Sequence, residues 1–278
     1  MARANRKYKS SLFTDYFHDK GRLIEAYNAI AGTDYPPTAD VQFHTLGNVL
    51  FGKQQNDIAF TIEGRYVVLI EHQSTINENM PLRLLLYIAR VYERITPQRA
   101  LYLLHARKIP APEFIVIYNG KDPYPERKTL RLSDMFMVSE APAKLELTVT
   151  VLNISKGNNA EILQKSTALS DYCAFVAVVN EQLAEGLAKD EAIERAVHLC
   201  VKQGIMGAYL ATQGSEVRNM LITEFDMDEW KEVIREEATE IGLAKGRAES
   251  AARMKAAGIE SALIEECTGL SQEEIAEL

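Results

Sequence analysis

The stretch Asn56–Thr75 constrains the fold more than any other part of the chain. It reads Asn56-Asp57-Ile58-Ala59-Phe60-Thr61-Ile62, then Glu63-Gly64-Arg65, then Tyr66-Val67-Val68-Leu69-Ile70-Glu71-His72-Gln73-Ser74-Thr75. Two β-rich runs around a glycine-containing break predict a hairpin. Ile58, Phe60 and Ile62 alternate with Asp57, Ala59 and Thr61, and on the return run Val67, Leu69, Glu71 and Gln73 alternate with Tyr66, Val68, Ile70 and His72. A three-residue loop at 63–65 sets Asp57 opposite Glu71, because each lies seven residues from Gly64. Cross-strand partners on one face have Cβ atoms about 5 Å apart, and a loop one residue shorter would turn one of the two to the other face. Carboxylates that close repel, so one takes a proton or a cation sits between them. Oxygen donors of this kind suit Mg²⁺ or Ca²⁺. Gln73, two residues beyond Glu71, shares its face. A solvent-facing pair at a strand end fits the same periodicity, so the pattern alone leaves both readings open.

The wording around these residues is more specific. Asp57 followed by Glu71-His72-Gln73 resembles the PD-(D/E)XK nuclease signature, with glutamine in the usual lysine slot. Asn56-Asp57-Ile58-Ala59-Phe60, Glu71-His72-Gln73-Ser74-Thr75, the run Asn79-Met80-Pro81-Leu82-Arg83-Leu84-Leu85-Leu86-Tyr87 and Tyr118-Asn119-Gly120, in this order, resemble the bacterial recombination-promoting nuclease (Rpn) family, which also carries the label of transposase. The resemblance implies an α/β fold, a PD-(D/E)XK nuclease-like mixed sheet flanked by helices, followed by an all-α C-terminal region. It implies a divalent-metal-dependent endonuclease acting on double-stranded DNA, with Mg²⁺ (or Ca²⁺ or Mn²⁺) on Asp57, Glu71 and the backbone carbonyl of His72. Gln73 is neutral and cannot act as a general base, so its amide is expected to orient the attacking water. Glu25 is the expected supporting acid, with Asp15 and Asp19 as rivals. Arg83, Tyr87 and Arg90 fall on one helical face, and Arg83 or Tyr87 is a candidate contact to a DNA phosphate. His72 points away from Glu71 and is expected to pack in the sheet. Two other readings stay open: a nuclease fold with a decayed site that binds DNA or a protein partner, and a transposase-related protein.

Charge is unevenly spread. The formal net charge is −8, but residues 1–131 hold 18 Lys+Arg and 13 Asp+Glu, whereas residues 132–278 hold 13 and 26. The half with the candidate site is mildly basic, which permits DNA binding without demonstrating it. No apolar run has the length of a membrane span and the N-terminal segment lacks a signal-peptide core, so a cytoplasmic location is expected. Cys173, Cys200 and Cys267 are widely separated and odd in number, and are read as free thiols.

Along the chain, Phe13 to Ile30 repeats at helical spacing and Gly32 ends that helix. Leu46 to Phe51 forms an apolar approach to the hairpin. A helix opens at Asn79 and Pro81 and is expected to run to about His105. Phe114–Tyr118 and Leu145–Val151 read as strands, with a loose apolar stretch from Leu130 to Phe136 between them. The polar segment Asn153–Asn159 marks the expected boundary between a catalytic domain at 1–158 and a helical region at 159–278. Helices are expected over 162–180, 190–202, 215–223 and 228–255, the last loosened by Gly242 and Gly246. A capping box, Ser271-Gln272-Glu273-Glu274, starts a final short helix. The helical region offers pairing surfaces for a homodimer.

Overall fold

The computed structural model describes residues 12–44, 57–138 and 142–277. The apolar approach at Leu46–Phe51 lies outside them. By contacts, the chain divides into two compact units, Met1–Ile222 and Thr223–Leu278.

The first unit is a mixed α/β assembly around a sheet of six strands among the described residues. Helices α1 (Leu12–Tyr16) and α2 (Lys20–Ala31) precede strands β1 (Val41–Phe43), β2 (Ile58–Ile62) and β3 (Tyr66–Gln73). The single helix expected over 13–30 is two, because Asp19 takes extended backbone as the N-cap of α2 and accepts from the Arg22 N–H at 3.0 Å. Gly32 closes α2 in the left-handed region, as its position suggested. The hairpin has the expected loop and register: Ile58 pairs with Ile70 and Ile62 with Tyr66, so Asp57 falls opposite Glu71. Glu63 and Gly64 both take positive φ. The unusual conformation of Glu63 is held by Asp40, whose carbonyl accepts from the Glu63 N–H and whose N–H donates to the Glu63 carboxylate.

After β3 the chain crosses through α3 (Met80–Ile95) to β4 (Ala111–Tyr118), which lies parallel to β3. Strands β5 (Arg127–Arg131) and β6 (Thr148–Asn153) complete the order β1-β2-β3-β4-β6-β5, with β6 parallel to β4 and β5 antiparallel at the edge. Helix α3 ends ten residues before the expected His105. Pro97 disfavours helical backbone at Thr96, and Leu101 to Leu104 are exposed rather than packed on a helical face. The stretch read as loose apolar sequence, Leu130 to Phe136, holds the end of β5 and a 3-10 turn at Leu132–Met135, and β6 begins at Thr148 rather than Leu145.

Both faces of the central strands are covered, which explains why every residue of β2 is buried. Ala59, Val67, Leu69, Val116, Tyr118, Val149 and Val151 pack with Met80, Leu84, Tyr87, Ile88 and Val91 of α3. On the opposite face Tyr27 of α2 meets Phe60 edge-on, with ring centroids 5.7 Å apart. The same face takes α4 (Ala160–Lys165) and α5 (Thr167–Ala184), which contact α2. The helix expected over 162–180 breaks at Ser166, whose hydroxyl caps α5 by accepting from the Leu169 N–H. The division expected at 158/159 therefore falls inside the first unit. Helix α6 (Lys189–Gln203) ends at left-handed Gly204. Two expected helices, 215–223 and 228–255, are parts of one 50-residue helix, α7 (Gly207–Ala256). A glycine within a helix costs only about 1 kcal/mol relative to alanine, and Gly242 and Gly246 do not interrupt this one.

In the second unit, α8 (Ser261–Thr268) and α9 (Gln272–Glu277) close on the end of α7 through Ala251, Ile264 and Ile275. The capping box forms: the Glu274 N–H donates to Ser271 Oγ, and the Ser271 N–H donates to the Glu274 carboxylate. The lysine Nζ of Lys255 donates to the carbonyls of Ile275 and Ala276 at the end of α9. Among the described residues no helix is long and apolar enough to cross a membrane.

The Tyr118-Asn119-Gly120 turn buttresses the end of β3. The Asn119 N–H donates to the Gln73 carbonyl at 3.0 Å, and a Cβ on Gly120 would stand 2.1 Å from the Ser74 carbonyl oxygen. Because that atom is backbone, relief requires moving the strand end. Gly120→Ala is expected to lower stability by about 3 kcal/mol, measured by urea unfolding. A change within experimental error would show that the turn yields freely.

Candidate active site

The antiparallel pairing of β2 and β3 brings two carboxylates together at the end of the hairpin. Asp57 sits one residue before β2, where regular pairing stops, and its Oδ2 accepts from the His72 N–H at 2.6 Å. The Asp57 N–H lies 3.3 Å from Glu71 Oε1. Glu71 is only 3% exposed. Its Oε2 meets Arg83 Nη2 of α3 at 3.1 Å, and the same nitrogen lies 3.3 Å from the Tyr87 hydroxyl. Gln73 donates its amide N–H to the Met80 thioether.

The electrostatics follow from burial. Glu71 is pushed up to about 8, first by burial and then by the Asp57 charge, with Arg83 and the Asp57 N–H pulling the other way. Asp57 is pushed up to about 6 by burial, against the His72 N–H and Arg83. One guanidinium does not neutralise two inward-facing carboxylates, and the pair favours a shared proton or a further cation.

Between the ordinary carboxylate range near 4 and these raised values, the folded chain holds more protons than the unfolded one. Stability from this pair is therefore present at low pH and lost as pH rises from about 4 to about 8. His44, lowered by burial and by Arg94, acts in the opposite direction, its contribution lost as pH falls below the ordinary histidine range. The pair is isolated by comparison with Glu71→Gln, which is expected to be about 2 kcal/mol more stable than the parent at pH 8 in EDTA and equal to it at about pH 4. Parallel stability-versus-pH curves from chemical denaturation would contradict the shared-proton picture.

His72 lies on the other face of the sheet, as expected from alternation. Its ring stacks on Phe13 at 5.0 Å, and Nε2 lies 3.2 Å from the Tyr172 hydroxyl. The backbone of His72 faces the site: in a strand the N–H and C=O of one residue point to the same side, so its carbonyl opens toward the edge where Asp57 takes the N–H. The helical acids are placed elsewhere. Glu25 accepts from the Ala168 N–H at the start of α5, Asp15 accepts from the Tyr209 hydroxyl, and Asp19 caps α2. Arg83 and Tyr87 share a face beside Glu71, while Arg90 pairs with Glu93 on the helix surface. The contacts of Met80 with Gln73 and Arg83 and of Tyr172 with His72 were not expected from sequence. Met80 had a local signal, since it lies one turn before Leu84 on the buried stripe of α3. Tyr172 falls on the apolar face of its helix with Phe175 and Val179, but its partner lies a hundred residues away.

Among the described residues no group of three or more His, Cys, Asp or Glu has metal-binding placement. Cys173 and Cys200 are buried free thiols and Cys267 is an exposed one.

A mixed six-stranded sheet with helices on both faces, and an inward-facing Asp–Glu pair at a hairpin end, define an α/β protein with two buried carboxylates side by side. Residues 51–195, just over half of the chain, match the family model described as "Putative transposase, YhgA-like". The protein belongs to that family, which lies in the Rpn/PD-(D/E)XK-like group, and the family description ties it to transposase-related function. Comparisons with curated proteins and with solved structures returned no match.

Proposed function

We propose that the protein is a divalent-metal-dependent endonuclease of PD-(D/E)XK type that hydrolyses phosphodiester bonds in double-stranded DNA, acts in the cytoplasm as a homodimer, and thereby promotes recombination. The observation that carries this reading is the buried, under-neutralised Asp57–Glu71 pair at the open end of the hairpin. Its donor set fits Mg²⁺, which is commonly held by one or two carboxylates and otherwise keeps its waters. Asp57, Glu71 and the His72 carbonyl would hold the ion. When bound, such an ion activates water and stabilises the charge that develops on the phosphate.

The chain's own groups supply the rest. The His72 N–H favours the ionised form of Asp57 against the opposing effect of burial, since a hydrogen bond to a carboxylate favours its charge. Gln73, held by Met80, presents an amide that orients water and neither takes nor gives a proton. Deprotonation of that water is then left to bulk solvent and to the ion. Arg83 supplies positive charge beside Glu71, within reach of a phosphate approaching the mouth of the site.

The Arg83–Glu71 ion pair also favours a second reading: a nuclease-like fold in which an arginine has replaced the ion and the surface only binds DNA or a protein. Incubating purified protein with supercoiled plasmid in Mg²⁺ and in EDTA separates the two. Nicking that requires Mg²⁺ supports the enzyme. DNA binding without nicking in any divalent cation supports the binding module.

A further inference from the structure

Arg83 makes an incomplete set of contacts for a half-buried arginine. Only Nη2 reaches Glu71, so the pair is not the two-bond fork that guanidinium and carboxylate form at their strongest. Nη1 lies 3.5 Å from the Met80 thioether, a weak acceptor, and Nε is buried without a hydrogen-bond partner. The anion is fixed inside, with 4% of the Glu71 side chain exposed, while the Arg83 side chain is 27% exposed and sits at the mouth. The Tyr87 hydroxyl, one helical turn further along α3, gives Nη2 a second acceptor at 3.3 Å, and the guanidinium carbon lies 5.9 Å from the Tyr87 ring centroid.

Resting on the metal-dependent reading above, we infer that Arg83 is a resident counter-cation, which gives up Glu71 to an incoming divalent ion and turns its freed guanidinium to the DNA phosphate. Without an ion, two adjacent carboxylates need positive charge nearby, and Arg83 supplies it from a flexible, solvent-connected side chain. With an ion on Glu71, the guanidinium would face a like charge and leave. A phosphate oxygen pair offers the two-bond geometry that Glu71 does not provide here. DNA and the divalent ion then bind cooperatively, each removing a competitor of the other, with the same coupling in both directions. The occupancy of each then rises when the other is present.

The test is calorimetric titration of Mg²⁺ into the full-length protein without DNA, at about pH 8.5, where carboxylates are largely ionised. Arg83→Met is expected to bind Mg²⁺ about tenfold more tightly than the parent, within the usual range of coupling between sites. Tyr87→Phe keeps the fold and the arginine but removes one anchor of Nη2, and is expected to tighten binding about threefold. A short phosphorothioate duplex should raise the Mg²⁺ affinity of the parent and leave that of Arg83→Met unchanged. If the parent binds Mg²⁺ and both variants bind it equally well or more weakly, the exchange is overturned while the metal site stands. If the duplex strengthens Mg²⁺ binding equally in parent and Arg83→Met, the coupling through Arg83 is overturned. If no form binds Mg²⁺, the metal-dependent reading falls and the exchange falls with it.

Discussion

Asp57→Ala and Glu71→Ala are each expected to lose plasmid nicking by a factor of about 10³ or more, equivalent to about 4 kcal/mol of transition-state stabilisation. The two carboxylates are the side-chain donors that face each other across the hairpin end, so removing either leaves an ion with one fixed anionic ligand. The fold should survive, because these residues strain it. Burial raises both carboxyls and the Asp57 charge raises Glu71 further, and a group whose folded pKa is raised destabilises the ionised native state at neutral pH. Asp57→Ala loses the acceptor of the His72 N–H, a local cost near 1 kcal/mol, offset by relief of the charge pair. Glu71→Ala leaves Arg83 without its counter-ion, and the closer isostere Glu71→Gln separates loss of charge from loss of packing. The measurement is the rate of conversion of supercoiled to open-circular plasmid, with circular dichroism confirming the fold. Undiminished nicking by either purified variant would remove that residue from the site.

The parts of this arrangement that were legible in sequence are local ones. The loop at 63–65 sets the register, the register sets Asp57 against Glu71, and alternation sends the His72 ring to the far face. Each step needs only the period of a strand and the length of a turn. The one-face relation of Arg83 and Tyr87 is likewise a matter of helical spacing. What escaped depends on distant partners. Strand β5, Arg127–Arg131, has one buried residue, Leu130, and exists because β6 offers it an edge. The break at Ser166 needs a helix packed at its own angle beyond the cap. The carboxylate of Glu25 reaches Ala168, 143 residues away, a pairing that no local pattern encodes. Helix α7 differs the other way: the sequence pattern reads as separate helices at 215–223 and 228–255, yet the backbone continues between them.

Those distant contacts lead to the second large effect. A chain ending at residue 158 is expected not to fold, whereas one ending at residue 222 is expected to fold and to nick plasmid in Mg²⁺. The boundary suggested by the polar segment 153–159 would remove α5, and α5 covers the sheet face opposite the site. Tyr172 and Phe175 of α5 are 2% and 0% exposed. Tyr172 packs against Phe13, Phe17 and His72, and the Cys173 thiol donates to the Ile154 carbonyl at the end of β6. Losing α5 would bare Phe13, Phe17 and the His72 ring to water. A fully buried large side chain contributes about 1.5–3 kcal/mol, so losing several such contacts is comparable to the 5–15 kcal/mol typical of a whole domain. It would also free the His72 ring, whose backbone N–H holds Asp57. The 222 boundary coincides with the limit of the first compact unit. The residues it removes, 223–278, hold 6 Lys+Arg against 15 Asp+Glu, so the shorter chain should also attract DNA more strongly at low salt. Circular dichroism, cooperative thermal unfolding and plasmid nicking, measured on both truncations, decide the matter. A 1–158 chain that unfolds cooperatively and cuts DNA would show that the strands and α3 form a self-sufficient catalytic core.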